Sequence, residues 1–498
     1  MARLPEGVLM SRAATGLAVS CMRVLRARTS GTVVGASVAI LCGAGNNGGD
    51  ALYAGASLRR RGARVTAVLL APEHAHPGGL GALRRAGGRV VPASEAAPAV
   101  QALSRADLVL DGVVGIGGSG PLRPAAAELA AAVEQGPAAV VAVDLPSGVQ
   151  PDTGEVPGPA VCADVTVTFG CLKPGLVVAA GRRCSGAVSV VDIGLLPDLR
   201  AAAEPALVRY SDADVARLLP RPTSTDSKYS RGVLGIVAGS RRFPGAAVLT
   251  AGGALATGVG MVRMVSVRPV VSEVRTRYPS VVGTEVSDAP GSEGTVSDPA
   301  AVLAAGRVQA WVIGPGLGVT AGAAAVVEGI LAQDVPVLVD ADALTLLAGS
   351  PAVLRSRTAP TLLTPHDGEF ARLFPAVPEE NLARDRVGAV RAAASLAEAT
   401  LLLKGDATLV ADPAGDGRAA GPVVVNGTGT PWLASAGSGD VLSGVAGALL
   451  ATGLSPREAG AVASHVHGLA GQRRGGGSSS DLASAVEATV AELRREVA

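Results

Sequence analysis

Short apolar segments alternate with helical patterns along the first half of the chain. The helical patterns, of which residues 50–62 and 124–136 are the clearest, separate apolar runs that have no polar alternation. Continuous apolar strands joined by helices predict a parallel sheet that is covered by helices on both faces. Ligands bind such a sheet at the carboxyl ends of its strands. The predicted strands are residues 37–43, 64–70, 106–113, 139–146, 163–170 and 188–194.

The second half has the same architecture but different motifs. Around residues 198–228 the pattern breaks into polar, proline-bearing sequence, and we place a domain boundary between residues 207 and 208. A helical pattern begins at Asp440, and residues 473–481 predict a loop before a last helix. We therefore expect two three-layer αβα domains, residues 1–207 and 208–498. The predicted strands of the second half are residues 233–240, 261–267, 310–316, 336–344, 361–365, 400–406 and 422–427.

Composition narrows the class of protein. The chain is 48% apolar but only 2% aromatic, and its 43 basic residues nearly balance its 42 acidic ones. Such a chain has neither the basic surface nor the stacking side chains of a nucleic-acid binder. No apolar run approaches the ~20 residues of a membrane span, and no clean signal peptide is present, so we expect no membrane partner. Five cysteines without a CxxC pair favour the reducing cytoplasm.

Two residue types are scarce, and this scarcity draws attention to the few that remain. The only lysines are Lys173, Lys228 and Lys404. Two of the four asparagines, Asn46 and Asn47, are adjacent. Where composition disfavours lysine and asparagine, those that remain are the better candidates for positions where no substitute works.

The first half carries polar groups where three of its predicted strands end. GAGNNGGDA (43–51) joins a strand to a helix, and its glycines allow a ligand to approach the backbone and the free N–H groups of the helix start. Asp111 ends the LVLD strand before a glycine-rich loop, and Asp144 ends VVAVD shortly before Ser147. Clustered Asn, Asp and Ser oxygens suit a hard cation. A strand-end Asp can also be a plain turn cap, but three acidic positions at three strand ends favour a ligand site.

In the second half the most specific motif is SAGSGDVLSG (435–444). Backbone N–H groups of such a turn form an anion hole for a transferring phosphoryl group, and the helix dipole adds to it. Asp440 at the helix start can accept the proton of a substrate hydroxyl. His366, with Asp367 and Glu369, follows one strand, and Lys404 ends another, where its ammonium can reach phosphate. The remaining histidines, in EHAH (73–76) and SHVHG (464–468), are interpreted as surface or packing residues.

The first-half motifs, taken together, resemble a known family. GAGNNGGD, LVLDGVVGIGGSGPLRP, VVAVDLPSGV, TVTFGCLKPGL and VVDIGL closely resemble the Rossmann-like epimerase domain of NAD(P)H-hydrate repair proteins, from about Leu9 to Leu195. The resemblance implies acid–base catalysis by Asp144 at nicotinamide C6 and a potassium ion held by Asn47, Asp111 and Ser147. It also implies that the hydrated nucleotide contacts Asn46, Asn47, Gly48, Gly49, Asp50, Gly115, Ile116, Gly117, Gly118, Ser119, Gly120, Pro121 and Asp144.

The second half resembles the ribokinase-like dehydratase domain of the same proteins, from about Lys228 to Gly471. The motifs that carry the resemblance are GPGLG, TPHDGE, LKG and AGSGD. They imply an ADP-dependent dehydration of the S-hydrate that yields AMP and phosphate, with Asp440 as the catalytic residue and magnesium accompanying ADP. The implied hydrate contacts are Gly253, Gly316, His366 and Asp440. The implied ADP or AMP contacts are Lys404, Gly405, Asp406, Ala407, Thr408 and Gly439.

The chain departs from the family pattern at three points. It begins almost at the first helix, where relatives usually carry extra residues, and Ala51 replaces a glycine of the usual NNGGDG. Asp367 replaces the proline of the usual TPHPGE and adds a charge beside His366. We expect the first change to bear on a dimer contact or the pocket rim, the second to be tolerated and the third to bear on substrate affinity. Lys173 is interpreted as part of a structural turn.

The leading hypothesis is a cytoplasmic bifunctional enzyme that forms a homo-oligomer. Its epimerase interconverts the R- and S-hydrates of NADH and NADPH, and its dehydratase consumes the S-hydrate. A small-molecule kinase is the alternative within enzymes, because AGSGD with LKG also suits hydroxymethylpyrimidine or sugar kinases. A non-catalytic nucleotide-binding scaffold is the alternative outside them, since epimerase-like domains also occur in RNA-processing scaffolds. The GPGLG and TPHDGE pair disfavours the kinase, and intact Asp111, Asp144 and NNGGD disfavour the scaffold.

Overall fold

The chain folds into two compact units. The computed structural model describes residues 5, 7–202, 204–287, 294–348, 352–415 and 421–496. One unit comprises Met1–Glu204 with Ala383–Arg386, and the other comprises Pro205–Leu382 with Val387–Ala498. The boundary expected from sequence, between residues 207 and 208, falls inside a short strand of the second unit, Leu207–Val208.

A parallel sheet forms the middle layer of the first unit. Seven strands pair in the order β3-β2-β1-β4-β5-β6-β7 within the described residues, all of them parallel. Short 3-10 turns occur at Pro72–His74 and Pro174–Leu176. The strands are β1 (Ser37–Cys42), β2 (Arg64–Leu69), β3 (Arg89–Pro92), β4 (Leu108–Gly112), β5 (Ala139–Val143), β6 (Val165–Phe169) and β7 (Ala187–Val191). The helices are α1 (Val8–Arg28), α2 (Asn46–Arg60), α3 (Pro77–Arg85), α4 (Ala96–Ser104), α5 (Pro124–Glu134), α6 (Ala179–Ser185) and α7 (Leu196–Ala202).

The strand order of the first unit places its site. Strands β4 and β5 are buried at every position, which is why they are continuous apolar runs in the sequence. The chain moves outward from β1 through β2 to β3, then returns to place β4 on the other side of β1. The connections that leave β1 and β4 therefore diverge at their carboxyl ends, and a crevice opens at this reversal of strand order. The glycine-rich segment 43–51 begins at the end of β1.

Helix α1 differs from one sequence expectation. By length and composition it is apolar enough to cross a membrane, whereas we expected no such segment. Its apolar side chains are used in the fold, because Leu17, Cys21 and Leu25 are completely buried in the core of the first unit. In this structure α1 is a core helix.

The second unit contains a longer, mixed sheet. Within the described residues ten strands pair in the order β11-β10-β9-β12-β13-β14-β15-β16-β17-β8. Strands β9 to β15 run parallel, whereas β16 is antiparallel to both β15 and β17. The strands are β8 (Leu207–Val208), β9 (Val233–Val237), β10 (Met261–Val267), β11 (Val282–Val286), β12 (Ala310–Ile313), β13 (Val337–Val339), β14 (Thr361–Leu363), β15 (Thr400–Leu403), β16 (Leu409–Ala411) and β17 (Val423–Val425).

Helices accompany these strands along the chain. Short 3-10 turns occur at Pro431–Leu433 and Ser479–Asp481. The helices are α8 (Asp212–Leu218), α9 (Pro244–Thr257), α10 (Arg268–Arg277), α11 (Pro299–Leu303), α12 (Ala321–Leu331), α13 (Asp342–Leu347), α14 (Ala352–Arg355), α15 (Asp367–Leu373), α16 (Asn381–Arg384), α17 (Arg386–Ala397), α18 (Ser438–Ala451), α19 (Pro456–Arg474) and α20 (Leu482–Glu496).

Small residues set the position of α18, the helix that begins in the AGSGD motif. A Cβ at Gly253 of α9 would lie 2.3 Å from the carbonyl oxygen of Val441, and one at Gly444 would lie 2.0 Å from that of Thr250. The two helices therefore pack with their backbones in contact. This is how a chain with few aromatic residues fills its core: alanine and glycine bring helices close together instead of large rings filling the space. The predicted α/β class is confirmed; the sheet of the first unit is parallel throughout, as expected, whereas that of the second unit is mixed.

Candidate active sites

The glycine turn after β1 presents unpaired polar groups. Gly45 has a φ of 85°, in the left-handed region that favours glycine, and α2 begins at the next residue. In the first turns of α2, the buried Asn47 Nδ2 and Asp50 Oδ1 have no hydrogen-bond partner. Buried polar groups in folded proteins are nearly always paired, so two unpaired groups one helical turn apart are typical of a site that a ligand or water completes.

Asp50 holds its proton unusually tightly. Burial, and next the nearby charge of Asp144, raise the pKa of Asp50 to about 7. A carboxyl group with this pKa changes its charge near neutral pH, so it can donate or accept a proton there.

Asp111 and Ser147 form a buried pair behind the site. Asp111 is completely buried, and its carboxylate accepts bonds from the Ser147 hydroxyl at 2.6 Å and the Ser147 N–H at 2.7 Å. The Ser147 hydroxyl also accepts a bond from the Val114 N–H at 3.0 Å. Burial is the main influence on Asp111 and raises its pKa. The pair joins the loops that follow β4 and β5.

Asp144 lies in a strained turn and is held by a lysine. Its φ is 67°, and the Leu145 N–H donates to the Val143 carbonyl at 2.8 Å, which closes a γ-turn centred on Asp144. Oδ1 of Asp144 accepts bonds from Lys173 Nζ at 2.6 Å and from the Thr168 hydroxyl at 2.9 Å. The turn and these two bonds fix the direction of the Asp144 carboxylate.

Asp50 and Asp144 border a cavity of about 990 Å³, whereas the buried pair of Asp111 and Ser147 does not reach its wall. Of the residues expected to contact the hydrate, the cavity is lined by Asn46, Asn47, Asp50, Asp144 and the entire loop 115–121. Gly48 and Gly49 do not line it. A Cβ at Gly48 would meet the Gly43 carbonyl oxygen at 2.5 Å, and one at Gly49 would meet the His76 ring at 2.8 Å, so both glycines serve packing.

Replacing Asp50 by asparagine is expected to remove a pH dependence of the stability of the first unit. The pKa of Asp50 is raised on folding, so the wild type loses stability as the pH rises from about 4 to about 7 and the carboxyl ionises. The variant lacks this loss, and its Tm relative to wild type should rise by about 2–4 °C between pH 5 and pH 8. Calorimetry measures this. A variant that tracks the wild type at both pH values would contradict the buried-acid assignment.

In the second unit, the AGSGD turn is held rigidly. Gly437 has a φ of 86°, and α18 starts at Ser438. The Ser438 hydroxyl donates to the Leu433 carbonyl at 2.7 Å, and His467 Nε2–H donates to the Ser438 carbonyl at 2.9 Å. Burial lowers the pKa of His467 to about 4, so this histidine is neutral and acts in packing, as expected. The N–H groups at the start of α18 thus have a fixed direction.

Asp440, in the first turn of α18, is the second acid with a pKa near neutrality. Burial is the largest cause, the charge of Asp340 adds to it, and Lys404 opposes it; together they raise the pKa of Asp440 to about 7. A general base is most effective when its pKa is close to the working pH.

Lys404 lies at the centre of a charged network. Its Nζ lies 2.7 Å from Asp340 Oδ1 and 3.8 Å from Glu369 Oε2, and the other Asp340 oxygen accepts the Ser443 hydroxyl at 2.6 Å. Burial lowers the pKa of Lys404, but Asp340 and Glu369 outweigh it and the net pKa is raised. The lysine is therefore cationic, and a Cβ on Gly439 would lie only 3.7 Å from it.

His366 caps helix α15. The Nδ1 atom of its ring accepts the Gly368 N–H at 3.0 Å, and the backbone N–H of His366 donates to Glu369 Oε2 at 2.9 Å. The His366 side chain is 57% exposed, and its Nε2 lies 3.5 Å from Glu369 Oε1. Glu369, which is almost completely buried, thus links the His366 cap to Lys404.

The other expected contacts of the second unit divide into two groups. Gly316, with a φ of 60°, lies in the turn after β12, where a Cβ would meet Ala246 at 2.8 Å. Gly405 and Asp406 are exposed between β15 and β16, beside buried Ala407 and half-buried Thr408. Gly253, by contrast, lies in the contact between α9 and α18, so the structure gives it a packing role.

Both halves of the chain are similar to known protein families. Residues 234–485 match the family model described as NAD(P)H-hydrate dehydratase, and residues 6–175 match the model of the YjeF-related protein N-terminus. A bifunctional NAD(P)H-hydrate repair enzyme of Mycobacterium tuberculosis is 50% identical over 461 residues, which are 93% of this chain and 88% of the relative. The chain belongs to the bifunctional NAD(P)H-hydrate repair enzymes.

Two further similarities concern the same family. The repair enzyme of Salinibacter ruber is 37% identical over 494 residues, with 95% of this chain and 88% of the relative covered. The solved ADP/ATP-dependent NAD(P)H-hydrate dehydratase of Bacillus subtilis, co-crystallised with ATP and Mg²⁺, is 25% identical with a TM-score of 0.49 and covers 59% of this chain and 99% of its own.

Membership assigns the two activities. This bifunctional NAD(P)H-hydrate repair enzyme combines an epimerase domain, which interconverts the R- and S-hydrates, with an ADP-dependent dehydratase domain, which returns the S-hydrate to NAD(P)H. The prediction of a bifunctional isomerase and lyase is confirmed, and the kinase and scaffold alternatives are not supported.

Sequence reasoning missed three residues that the structure places in the two candidate sites. Asp340 ends a strand as Asp111 and Asp144 do, and this same signal could have selected it. Lys173, one of three lysines, was interpreted as part of a structural turn, yet its Nζ bonds Asp144. Ser443 had no signal of its own, because a serine in a buried helix is common and its partner, Asp340, lies far away in sequence.

Proposed function

We propose that hydrate dehydration takes place at the start of α18, with Asp440 as the base that takes the proton of the C6 hydroxyl. The observation that carries this assignment is the position of Asp440 in the first turn of α18, next to Gly439 and Lys404, where burial raises its pKa to about 7. Phosphoryl transfer from ADP to the C6 oxygen releases AMP and turns hydroxide, a poor leaving group, into phosphate. The lone pair of the ring nitrogen then expels phosphate, and loss of a proton from C5 restores the dihydronicotinamide.

The charges around Asp440 fit this chemistry. The N–H groups of Gly439 and its neighbours, with the helix dipole, stabilise the negative oxygens of the transferring group. Lys404 neutralises the phosphates of ADP, and Asp340 and Glu369 hold its ammonium in place. Residues 405–408 bind the remainder of the nucleotide, and His366 and Gly316 face the hydrate. Magnesium accompanies ADP, as the Mg²⁺ co-crystallised with ATP in the Bacillus subtilis dehydratase suggests.

The dehydratase rate should rise with pH and level off above about pH 7, so that its pH–rate profile has an acid limb near pH 7. Asp440 acts as a base only when ionised, so activity falls as the pH drops below its pKa of about 7. Lys404 lowers that pKa, so Lys404→Gln should move the limb to higher pH by about one unit and weaken ADP binding. Steady-state kinetics between pH 5.5 and 9 measures both. If the acid limb stays at the same pH when Lys404 is replaced, Lys404 does not lower the pKa of Asp440.

We place epimerisation in the cavity of the first unit. Inversion at C6 requires the hydroxyl to leave and return, or the C6–N1 bond to open and close, and both routes move a proton on the C6 oxygen. Asp144 carries that proton, and Lys173 orients its carboxylate. Asn46, Asn47, Asp50 and the 115–121 loop hold the nucleotide. A second cavity of about 920 Å³ shares Leu9, Met10 and Asn46 with the first, which gives a dinucleotide room to extend.

The donor set of the first unit fits a potassium ion. Asn47 has an unpartnered buried amide, which can present its oxygen by rotating, and the completely buried Asp111 supplies a negative charge. Oxygen ligands of this kind suit a hard cation, and Asn47, Asp111 and Ser147 would hold it. Bound there, the ion would supply positive charge beside the nucleotide.

Exchange of potassium for tetramethylammonium is expected to affect only the epimerase. That cation is too large for a site formed by Asn47, Asp111 and Ser147. We expect epimerisation to slow at least tenfold, and the unfolding transition of the first unit to move to lower temperature. The dehydratase rate at saturating S-hydrate serves as the control. Equal rates of epimerisation in the two salts would remove the potassium assignment.

Two wider properties are part of the proposal. We place the enzyme in the cytoplasm, where its substrates arise, and we expect it to form a homo-oligomer. Its small-molecule partners are the hydrates of NADH and NADPH together with ADP.

A mixed hydrate preparation tests the whole proposal. The purified full chain receives R- and S-hydrates, with and without ADP, and reduced nicotinamide is followed by absorbance. We expect recovery only with ADP, a fast phase from the S-hydrate, and a second phase that carries recovery beyond half to completion. No ADP-dependent recovery would overturn the dehydratase assignment, and a halt near half would overturn the epimerase assignment.

A further inference from the structure

Two cysteine side chains of the first unit lie against each other. The sulfur atoms of Cys162 and Cys184 are 2.8 Å apart, and the Ala163 N–H donates to the Cys184 carbonyl at 2.8 Å, which fixes the two backbones side by side. Both residues are free thiols. A disulfide has a sulfur–sulfur distance of about 2.05 Å, so a movement of about 0.8 Å separates this contact from a bond.

We propose that Cys162 and Cys184 form a site of reversible thiol oxidation, closing to a disulfide. The proposal is independent of the activities assigned above. The two thiols differ in access: Cys162 is exposed, whereas Cys184 is 8% exposed. A small disulfide such as oxidised glutathione can therefore reach Cys162 first, and Cys184 lies in position to complete the reaction.

The exchange balances in two steps. The Cys162 thiolate attacks one sulfur of oxidised glutathione, which forms a mixed disulfide and releases one glutathione thiolate. Cys184 then loses its proton and attacks the Cys162 sulfur, which releases the second glutathione. Two protein thiols and one glutathione disulfide give one protein disulfide and two glutathione thiols. Burial raises the pKa of Cys184 to about 12, which favours Cys162 as the first nucleophile and Cys184 as the resolving thiol.

The disulfide would close a loop of chain that contains residues of the epimerase site. The chain between the two cysteines carries β6 and the segment with Thr168 and Lys173, which holds Asp144. On the other side of Cys162, the Val161 N–H donates to the Ser147 carbonyl at 2.9 Å. Oxidation would therefore restrain the segment that positions the epimerase carboxylate, and it would raise the unfolding temperature of the first unit by about 5 °C.

Peptide mapping tests the disulfide directly. The reduced full chain is incubated with oxidised glutathione, alkylated and cleaved before aspartate, which places Cys162 in peptide 152–163 and both Cys171 and Cys184 in peptide 164–191. We expect the two peptides to be linked, with a mass two hydrogens below their sum, and to separate on reduction. Slower hydrogen exchange within 164–184 should accompany the link.

Matched variants identify the partner. Cys171→Ser removes the other exposed thiol of the region and should leave the linked species unchanged. Cys162→Ser, at an exposed position that tolerates serine, should abolish it, and Cys184→Ser should give only a glutathione adduct on Cys162. A wild-type protein that carries glutathione on Cys162 while Cys184 remains a free thiol would overturn the proposal, as would a link that requires Cys171.

Discussion

Replacing Asp440 by asparagine should abolish ADP-dependent recovery of NAD(P)H while epimerisation continues at the wild-type rate. Asparagine keeps the shape of the side chain but cannot accept the proton of the C6 hydroxyl. A positioned general base contributes about 10²–10⁴-fold to a rate, and we expect kcat of dehydration to fall within that range. Because ADP is held by Lys404 and the backbone N–H groups of α18, its KM should change much less than kcat.

The measurement uses S-hydrate with saturating ADP, and chromatography of the R- and S-hydrates reports epimerisation in the same sample. Asp298→Asn is the matched control. Asp298 is an exposed N-cap whose carboxylate accepts the N–H groups of Ala300 and Ala301, and asparagine can do the same. The control should retain full activity. Wild-type turnover in the Asp440 variant would show that the catalytic base lies elsewhere.

Replacing Asp144 by asparagine should remove the second phase of recovery and leave the first. The S-hydrate of a mixed preparation would be consumed at the normal rate, because dehydration takes place in the second unit. The R-hydrate would then convert only as fast as it epimerises without the enzyme. We expect epimerisation to fall by about 10²–10⁴-fold, since asparagine cannot move the proton of the C6 hydroxyl.

The ion pair with Lys173 adds a cost in stability to this variant. Both side chains are largely buried, with 13% and 11% exposed, so removing the carboxylate leaves an ammonium without its counter-charge. Breaking such a pair costs about 3 kcal/mol, and the variant's first unit should unfold at lower temperature. The companion variant Lys173→Gln keeps Asp144. Because Lys173 orients that carboxylate, epimerase kcat should fall in this variant; an unchanged kcat would show that Lys173 only stabilises the fold.

Asp107→Asn is the control for the first unit. Asp107 precedes β4 at the opposite end of the sheet, where its carboxylate accepts the Ser37 N–H at 2.7 Å. The Asp107→Asn variant should show both phases of recovery. An Asp144 variant with a normal second phase would remove Asp144 from the mechanism, whatever its stability.

The two sites share one design. In each unit a strand ends at an aspartate, and there the backbone enters the left-handed region. In the first unit Asp144 itself has a φ of 67°; in the second, Ala341, which follows Asp340, has a φ of 50°. Each aspartate pairs with a lysine, and each site contains a further buried carboxyl whose pKa is raised to about 7, Asp50 in one and Asp440 in the other. Burial is the main cause of both raised pKa values; the charge of Asp144 adds to it at Asp50, whereas at Asp440 the charge of Asp340 adds to it and Lys404 opposes it.

Local sequence was sufficient for most of the elements and for many of the residues that line the cavity of the first unit. Apolar runs without alternation predicted parallel strands buried on both faces, and β4 and β5 are buried throughout. Glycine-rich turns and strand-end aspartates predicted the ligand edge, because a turn and a strand end are local features. Resemblance to a family then assigned the chemistry, and relatives at 50% identity agree with it.

Tertiary structure alone decided which of these residues meet and what their environment does to them. Lys173 reaches Asp144 and Lys404 reaches Asp340 only after strands distant in sequence pair side by side. Gly253 turned out to serve the contact of α9 with α18, which no local pattern reveals. Burial, which raises the pKa values of Asp50 and Asp440, is a property of the whole fold. Periodicity records which face of an element is apolar, whereas proximity and burial depend on how all the elements pack.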